Sequence, residues 1–365
     1  MKKNLENLIG NYKDCYVGYS ADKKVRINGS SGGIITSLLL FALQKKIING
    51  AVVVRMNPHN PLKPEVFIAR SGEEICSAQG SKYLPISLNE IVKVIEKGKG
   101  RFAVVGLSCH IRGLRAVMEQ SDDIKQKVVF TVGLICGRTV SFDGTYALVK
   151  RLNVDQSKIK EIQYRKGEWP GSFCIIQKDN MITKIPYKKY WSVFGGFFFT
   201  PNSCLYCTDT INEVADISCG DAWLPNIKKY DKLGTSIIIS RTLASEKILK
   251  DALSEGFIKL NPINPSKVVR SQWTSLYFKK IGYCRIKLKK YGLPKGIFKI
   301  LQEDGLFGLN AALFPLVSIK IISSKFLRNK IMYVPSIFHQ LYGILPSLIG
   351  FLWYKRWEKH NTIKK

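Results

Sequence analysis

Acidic residues are what this sequence is short of: 27 Asp and Glu stand against 57 Lys and Arg, a formal charge of +30 over 365 residues. A chain this basic is drawn to something anionic, whether a membrane surface, nucleic acid, a phosphorylated cofactor or an acidic protein. Histidine is scarce too. His59, His110, His339 and His360 are scattered, and only His110, beside Cys109, has a neighbour that could use it, as a cap or as a hydrogen-bond partner behind the thiol. The first thirteen residues carry no apolar run of the kind a secretory leader needs, so no signal peptide is expected and the cytoplasm is the expected compartment. Nine cysteines are too sparse in a chain of this length for a secreted disulfide framework. Two apolar stretches near the C-terminus, 306–322 and 337–353, are interrupted by Pro315, Ser318, His339, Pro346 and Ser347, and neither reads as a spanning helix. No repeat, low-complexity tract or recognisable nucleic-acid module is present, so nucleic acid is set aside as a partner.

What remains is a globular composition, 45% hydrophobic, with thiols set at informative places. Cys204-Leu-Tyr-Cys207 follows the break at Pro201, and two sulfurs at i and i+3 in a loop can turn toward one centre. Cys109 ends the apolar run Phe102-Ala-Val-Val-Gly-Leu-Ser, and Cys136 ends Val128-Val-Phe-Thr-Val-Gly-Leu-Ile. Both runs read as buried strands, which places both thiols at strand tips. Carboxyl ends of neighbouring strands are where open α/β sheets collect ligands. Four thiolates so placed make a site for an iron–sulfur cluster, with zinc as the rival.

The rest of the chain supplies a fold for that site. A polar glycine loop, Ser30-Ser-Gly-Gly33, opens into an apolar helix over 34–43, with Ser30 or Ser31 expected to cap it and the glycines admitting a phosphate or flavin to its positive end. Strands are expected at 15–19, 50–55, 160–164, 216–221 and 234–241, a hairpin over 173–186, and helices over 111–118, 144–152 and 244–255. The alternation predicts an α/β (mixed α+β) fold: a mixed, partly parallel sheet core with flanking helices and a C-terminal helical extension. Two divisions follow, a main domain over 1–275 and a basic, apolar extension over 276–365 that either packs on the core or lies on an anionic membrane face. Within 281–365, 15 Lys and Arg face Glu303, Asp304 and Glu358 alone.

Taken together, Ser30-Ser-Gly-Gly33, Gly80-Ser-Lys-Tyr83, Gly106-Leu-Ser-Cys-His-Ile-Arg-Gly-Leu-Arg115, Gly133-Leu-Ile-Cys136, the Cys204–Cys207 loop and Ala215-Asp-Ile-Ser-Cys-Gly-Asp221 resemble the coenzyme F420 hydrogenase/dehydrogenase beta-subunit family over roughly residues 15–265. The resemblance implies an oxidoreductase with FAD and a [4Fe-4S] cluster, the cluster on Cys109, Cys136, Cys204 and Cys207. It implies flavin contacts from Ser30, Ser31, Gly32, Gly33, Gly80, Ser81, Lys82 and Tyr83, with Gly220 and Asp221 beside them. Lys82, Arg165 and Lys166 are the expected catalytic cations. The ferredoxin-like CxxCxxCxxxCP module of many relatives has no counterpart here, so a separate ferredoxin or other electron donor is expected as partner, alongside a small-molecule substrate. The basic tail resembles those of bacterial relatives from surface-polysaccharide gene sets. The remaining cysteines, Cys15, Cys76, Cys174, Cys219 and Cys284, are expected as small buried hydrophobes, with Cys219 closest to the site. The competing reading is a zinc-stabilised, non-catalytic basic protein docking to an anionic membrane or partner.

Overall fold

The computed structural model describes residues 2–362; Lys364 and Lys365, counted in the basic tail, lie outside the described residues. Eleven strands form among the described residues: β1 Asp14–Ser20, β2 Gly50–Asn57, β3 Asn60–Ala69, β4 Phe102–Leu107, β5 Val128–Leu134, β6 Ile159–Lys166, β7 Ser172–Gln177, β8 Ile182–Pro186, β9 Ile217–Asp221, β10 Ser236–Ser240 and β11 Ile258–Pro262. Eight of them make one twisted sheet in the order β11-β1-β10-β9-β5-β4-β2-β3. Its centre, β2, β4, β5 and β9, is parallel, and its flanks are antiparallel. This is the mixed, partly parallel sheet that the sequence predicts.

The central strands β2, β4 and β5 are mostly apolar because both faces of the sheet are covered. Ala51, Val53 and Val132 pack under the helices Ile34–Gln44 and Leu243–Ser254, while Val52, Val104 and Phe102 pack under Leu88–Lys97 and Ser108–Gln120. Alternate residues of β2 thus serve opposite cores, as a strand's two-residue period requires. The parallel strands β4, β5 and β9 point the same way, and their carboxyl ends deliver Cys109 in the first turn of the next helix, Cys136 in the loop past β5, and Asp221 as the last residue of β9. A second, antiparallel sheet, β6-β7-β8, closes over an aromatic core of Tyr164, Phe173, Tyr190 and Phe194, the last two from helix Tyr187–Phe194.

The tail begins in helix Ser266–Leu276 and passes through a π-helical turn, Tyr277–Ile281, into helix Arg285–Tyr291. Helix Lys295–Ser323 then kinks at Gly305, where φ is 64°, and helix Ser336–Thr362 completes it. There is no break at 275. Tyr277 is fully buried, its ring 5.6 Å from that of Trp353, and Tyr342 meets Phe198 at 5.6 Å. The extension packs on the core. Pro315 and Ser318 do not interrupt their helix as expected: it runs through both, the Ser318 hydroxyl donating to the Phe314 carbonyl at 3.0 Å. Among the described residues this is the one helix long and apolar enough to cross a membrane; in the fold Ala311 and Phe314 are buried with Phe197 and Phe278, and Ile300 and Ala312 with Cys284 and Leu288.

Candidate functional site

Three segments deliver the four thiols. Cys109 sits in the first turn of helix Ser108–Gln120, just past β4, and is exposed. Cys136 lies two residues past β5, its amide donating to the Thr210 carbonyl at 2.8 Å. Cys204 ends up in the short helix Asn202–Leu205 and Cys207 beyond it. None is in a disulfide. Burial raises the Cys109 thiol and pushes Cys136 up to about 12; the charges of Cys204 and Cys207 raise both further, against the lowering pull of Lys279. The four are therefore electrostatic neighbours. Among the described residues no three His, Cys, Asp or Glu side chains are gathered tightly enough for one metal ion.

Lys279 is the residue that sequence reasoning missed. Nearly fully buried in the π-helical turn, it donates to Cys207 Sγ at 3.2 Å and to the Asp209 carbonyl at 2.9 Å. Burial alone would lower its ammonium, but the thiols of Cys136, Cys207 and Cys204 outweigh that and raise it. Single π turns recur at functional sites because the inserted residue re-aims a side chain. Arg285 adds a clamp: its guanidinium donates to the carbonyl of Leu205, between the two cysteines, at 2.8 Å, and to those of Phe278 and Ala311. Three polar atoms that stand buried and unpartnered, Ser108 Oγ, Arg138 Nε and Thr200 Oγ1, belong to residues within four positions of a site cysteine. Thiols, buried cations and spare donors suit an anionic, sulfur-ligated group.

The glycine loops come together as a second cluster. The Ser81 amide donates to Ser30 Oγ at 2.6 Å, joining Ser30–Gly33 to Gly80–Tyr83. The capping expectation fails: Gly33, at φ 74°, occupies the cap position without a side-chain bond, while Ser31 Oγ instead meets Ser236 Oγ and the Thr235 carbonyl. Gly32 is small for a packing reason, since a Cβ there would come within 2.5 Å of the Gly18 carbonyl oxygen. Gly220 likewise makes room for Ile135. Lys82 donates to the carbonyls of Ala78, Gln79 and Gly80, and burial pulls its ammonium down to about 7.

Arg165 and Asp221 meet each other. Two parallel bonds of 2.7 and 2.9 Å join them, and Trp169 Nε1 donates to the same carboxylate at 2.7 Å. Burial would lower the guanidinium, but the Asp221 charge more than reverses it. Lys166, the next residue of β6, is exposed and takes no part in this pair. Around the pair stand aromatic rings: Tyr83 against Trp191 at 5.1 Å, Tyr187 stacked on Trp191 at 5.1 Å and near Trp223 at 6.0 Å, and Trp169 against Trp223 at 4.6 Å. Arg138 donates to the Phe194 and Gly195 carbonyls and lies over the Phe197 ring at 3.7 Å; burial pulls its guanidinium down to about 10, against the raising charges of Cys136, Cys204 and Tyr187. His110 is structural: the Leu107 amide donates to Nδ1, so Nε2 donates to the Ile86 carbonyl at 3.0 Å. Of the other cysteines, Cys15, Cys174, Cys219 and Cys284 are buried and Cys76 half-buried. Two of the surface clefts lie elsewhere, one beside Asp143 and Arg328 and one beside His59.

Comparison with known families decides the lineage of this arrangement. The model for the coenzyme F420 hydrogenase/dehydrogenase beta-subunit N-terminal region matches residues 15–93, and that for the C-terminal region matches residues 99–266. The chain belongs to this family. Its members are oxidoreductase subunits that handle electrons, and the redox class extends to this chain. The coenzyme F420 hydrogenase subunit beta of Methanothermobacter thermautotrophicus is 27% identical over 267 residues, covering 71% of this chain and 88% of that one. The coenzyme F420-dependent sulfite reductase of Methanocaldococcus jannaschii is 27% identical over 249 residues, 64% of this chain but 36% of that larger protein. A chain of the F420-reducing [NiFe] hydrogenase complex from Methanosarcina barkeri shares the fold, with a TM-score of 0.60, 24% identity, and coverage of 78% of this chain and 95% of that one. The matched regions stop at 266, so Lys279 and Arg285 come from outside them.

Proposed function

We propose that this family member is an iron–sulfur flavoprotein that passes electrons between a [4Fe-4S] cluster on Cys109, Cys136, Cys204 and Cys207 and an FAD lodged at the Ser30–Gly33 and Gly80–Tyr83 loops. The observation that carries the reading is the buried Lys279 ammonium donating to Cys207 among four free thiols, together with an aromatic enclosure whose Tyr83 ends one of the two bonded glycine loops. When bound, FAD supplies two-electron chemistry toward a substrate and one-electron chemistry toward a low-potential four-thiolate cluster. The placement of the cysteines favours a cluster over zinc: two single cysteines past separate strands plus one CxxC, where structural zinc sites more often use two close CxxC pairs.

In this reading Lys279 and Arg138 offset thiolate charge from the protein side, and the Tyr83, Trp191 and Trp223 rings keep water from the space between. Lys82, with an ammonium near neutrality, holds or releases a proton beside the glycine loops. The basic surface suits an acidic ferredoxin-like donor, and a small molecule completes the pair; its placement in surface-polysaccharide synthesis rests on the basic tail alone.

Anaerobic purification followed by iron, sulfide and flavin analysis tests the proposal. About four irons and one FAD per chain are expected, with absorption that bleaches on reduction. Cys204→Ala should lose the iron. A colourless protein with one zinc and no flavin, or a Cys204→Ala variant with full iron, would overturn it.

A further inference from the structure

Helix Ser336–Thr362 is apolar on two sides. One side is accounted for: His339, Gly350 and Tyr354 are buried, Gly350 lies against the Tyr277 ring, and the Trp353 ring meets that ring at a tilt. The other is not. Ile337, Phe338, Leu341, Leu345, Leu348 and Leu352 are each more than half exposed. At about 100° per residue they fall within an arc of roughly 100°, forming one continuous strip on the face turned away from the body. At about 1.5 Å per residue the strip is about 22 Å long. A helix that only had to dock on its own core would need one apolar stripe, and its outward face would be polar.

The strip runs straight into cations. Lys355, Arg356 and Lys359 are exposed and share its arc by helical spacing, and Glu358 is the only acidic residue of the whole helix. We infer that this face seats the protein on an anionic phospholipid bilayer, the strip entering the headgroup and acyl boundary while the basic turns and the +30 charge of the chain are held by lipid phosphate. A second copy of the chain would bring like charges together on that face, which disfavours a dimer. A protein partner fits less well too: Leu and its kin are weak interface anchors, and the tryptophans of this helix, Trp353 and Trp357, are turned toward the body. The helix lies along the membrane and does not cross it, because its other face is occupied. The inference is independent of the redox reading.

The test uses the full-length protein and sedimenting vesicles of phosphatidylcholine alone or mixed with phosphatidylglycerol, at low and high salt. Wild type should pellet with the mixed vesicles at low salt and be released from them as salt rises. Leu341→Asp with Leu345→Asp, and separately Lys355→Glu with Arg356→Glu, should each weaken partition by about tenfold or more, with melting curves like wild type since all four side chains are exposed. Wild type that stays in solution with anionic vesicles overturns the inference. So does either well-folded variant pelleting as wild type does, or a wild-type dimer that the Leu→Asp pair makes monomeric while no vesicle binding is seen.

Discussion

Lys82 has three carbonyl acceptors and no carboxylate, and its ammonium is pulled from 10.5 to about 7 by burial. The consequence for stability has a definite sign. Between about pH 7 and 10.5 the unfolded chain keeps a proton that the folded chain has released, so stability rises with pH across that window and is flat below it. Relative to a Lys82→Met variant, wild type should gain up to about 1.4 kcal/mol per pH unit as pH climbs from neutrality. Paired denaturant titrations at neutral and alkaline pH check this, and parallel slopes for the two proteins would refute it. That Lys82 sits in a glycine turn could be read from a small-residue stretch carrying one cation. That Lys279 and Arg285 reach the cysteine loop could not, because their partners Cys207 and Leu205 lie 72 and 80 residues away and no spacing rule connects them.

At the level of elements, the Arg165–Asp221 pair bolts the end of β6 to the end of β9, and so the small sheet to the large one. Asp221→Asn leaves a buried guanidinium without its counter-charge and should cost about 3–5 kcal/mol. Adding Arg165→Met to it should recover much of that, since removing both partners removes the uncompensated charge; equilibrium unfolding of the single and double variants measures the difference. A double variant as unstable as Asp221→Asn would mean that the pair's charge is not what matters there. The strands that carry the site were legible for a physical reason: β4 and most of β5 are buried, so each reads as a mainly apolar run with a cysteine two residues past its end. β3 was not legible. It is an edge strand with Pro61 and Pro64 inside it, half-buried along most of its length, and shows neither a run nor an alternation. The Ser30–Gly33 loop was found, but its serines bond across to β10 and to the loop at Ser81, contacts that only the folded sheet creates.

Across the whole molecule, the division drawn at 275 by composition is not a division of structure. The Tyr277 hydroxyl donates to the Phe307 carbonyl at 2.8 Å and accepts from Asn310, whose amide also reaches the Pro346 carbonyl. Two residues on, Lys279 meets Cys207, and Arg285 spans from Leu205 to Ala311. The long tail helices therefore hold the turn that holds the cysteine loop. A chain ending at Gly292 keeps Lys279 and Arg285 but loses Phe307, Asn310 and Ala311, and it uncovers Tyr277, Phe278 and Phe197. Each large apolar side chain so exposed is worth about 1.5–3 kcal/mol. The truncated chain should melt well below the full chain and, on the proposed ligand set, should retain less iron when both are prepared without oxygen. If it melts with the full chain and binds as much iron, the tail is a passenger and the clamp on the cysteine loop is built by residues before 292 alone.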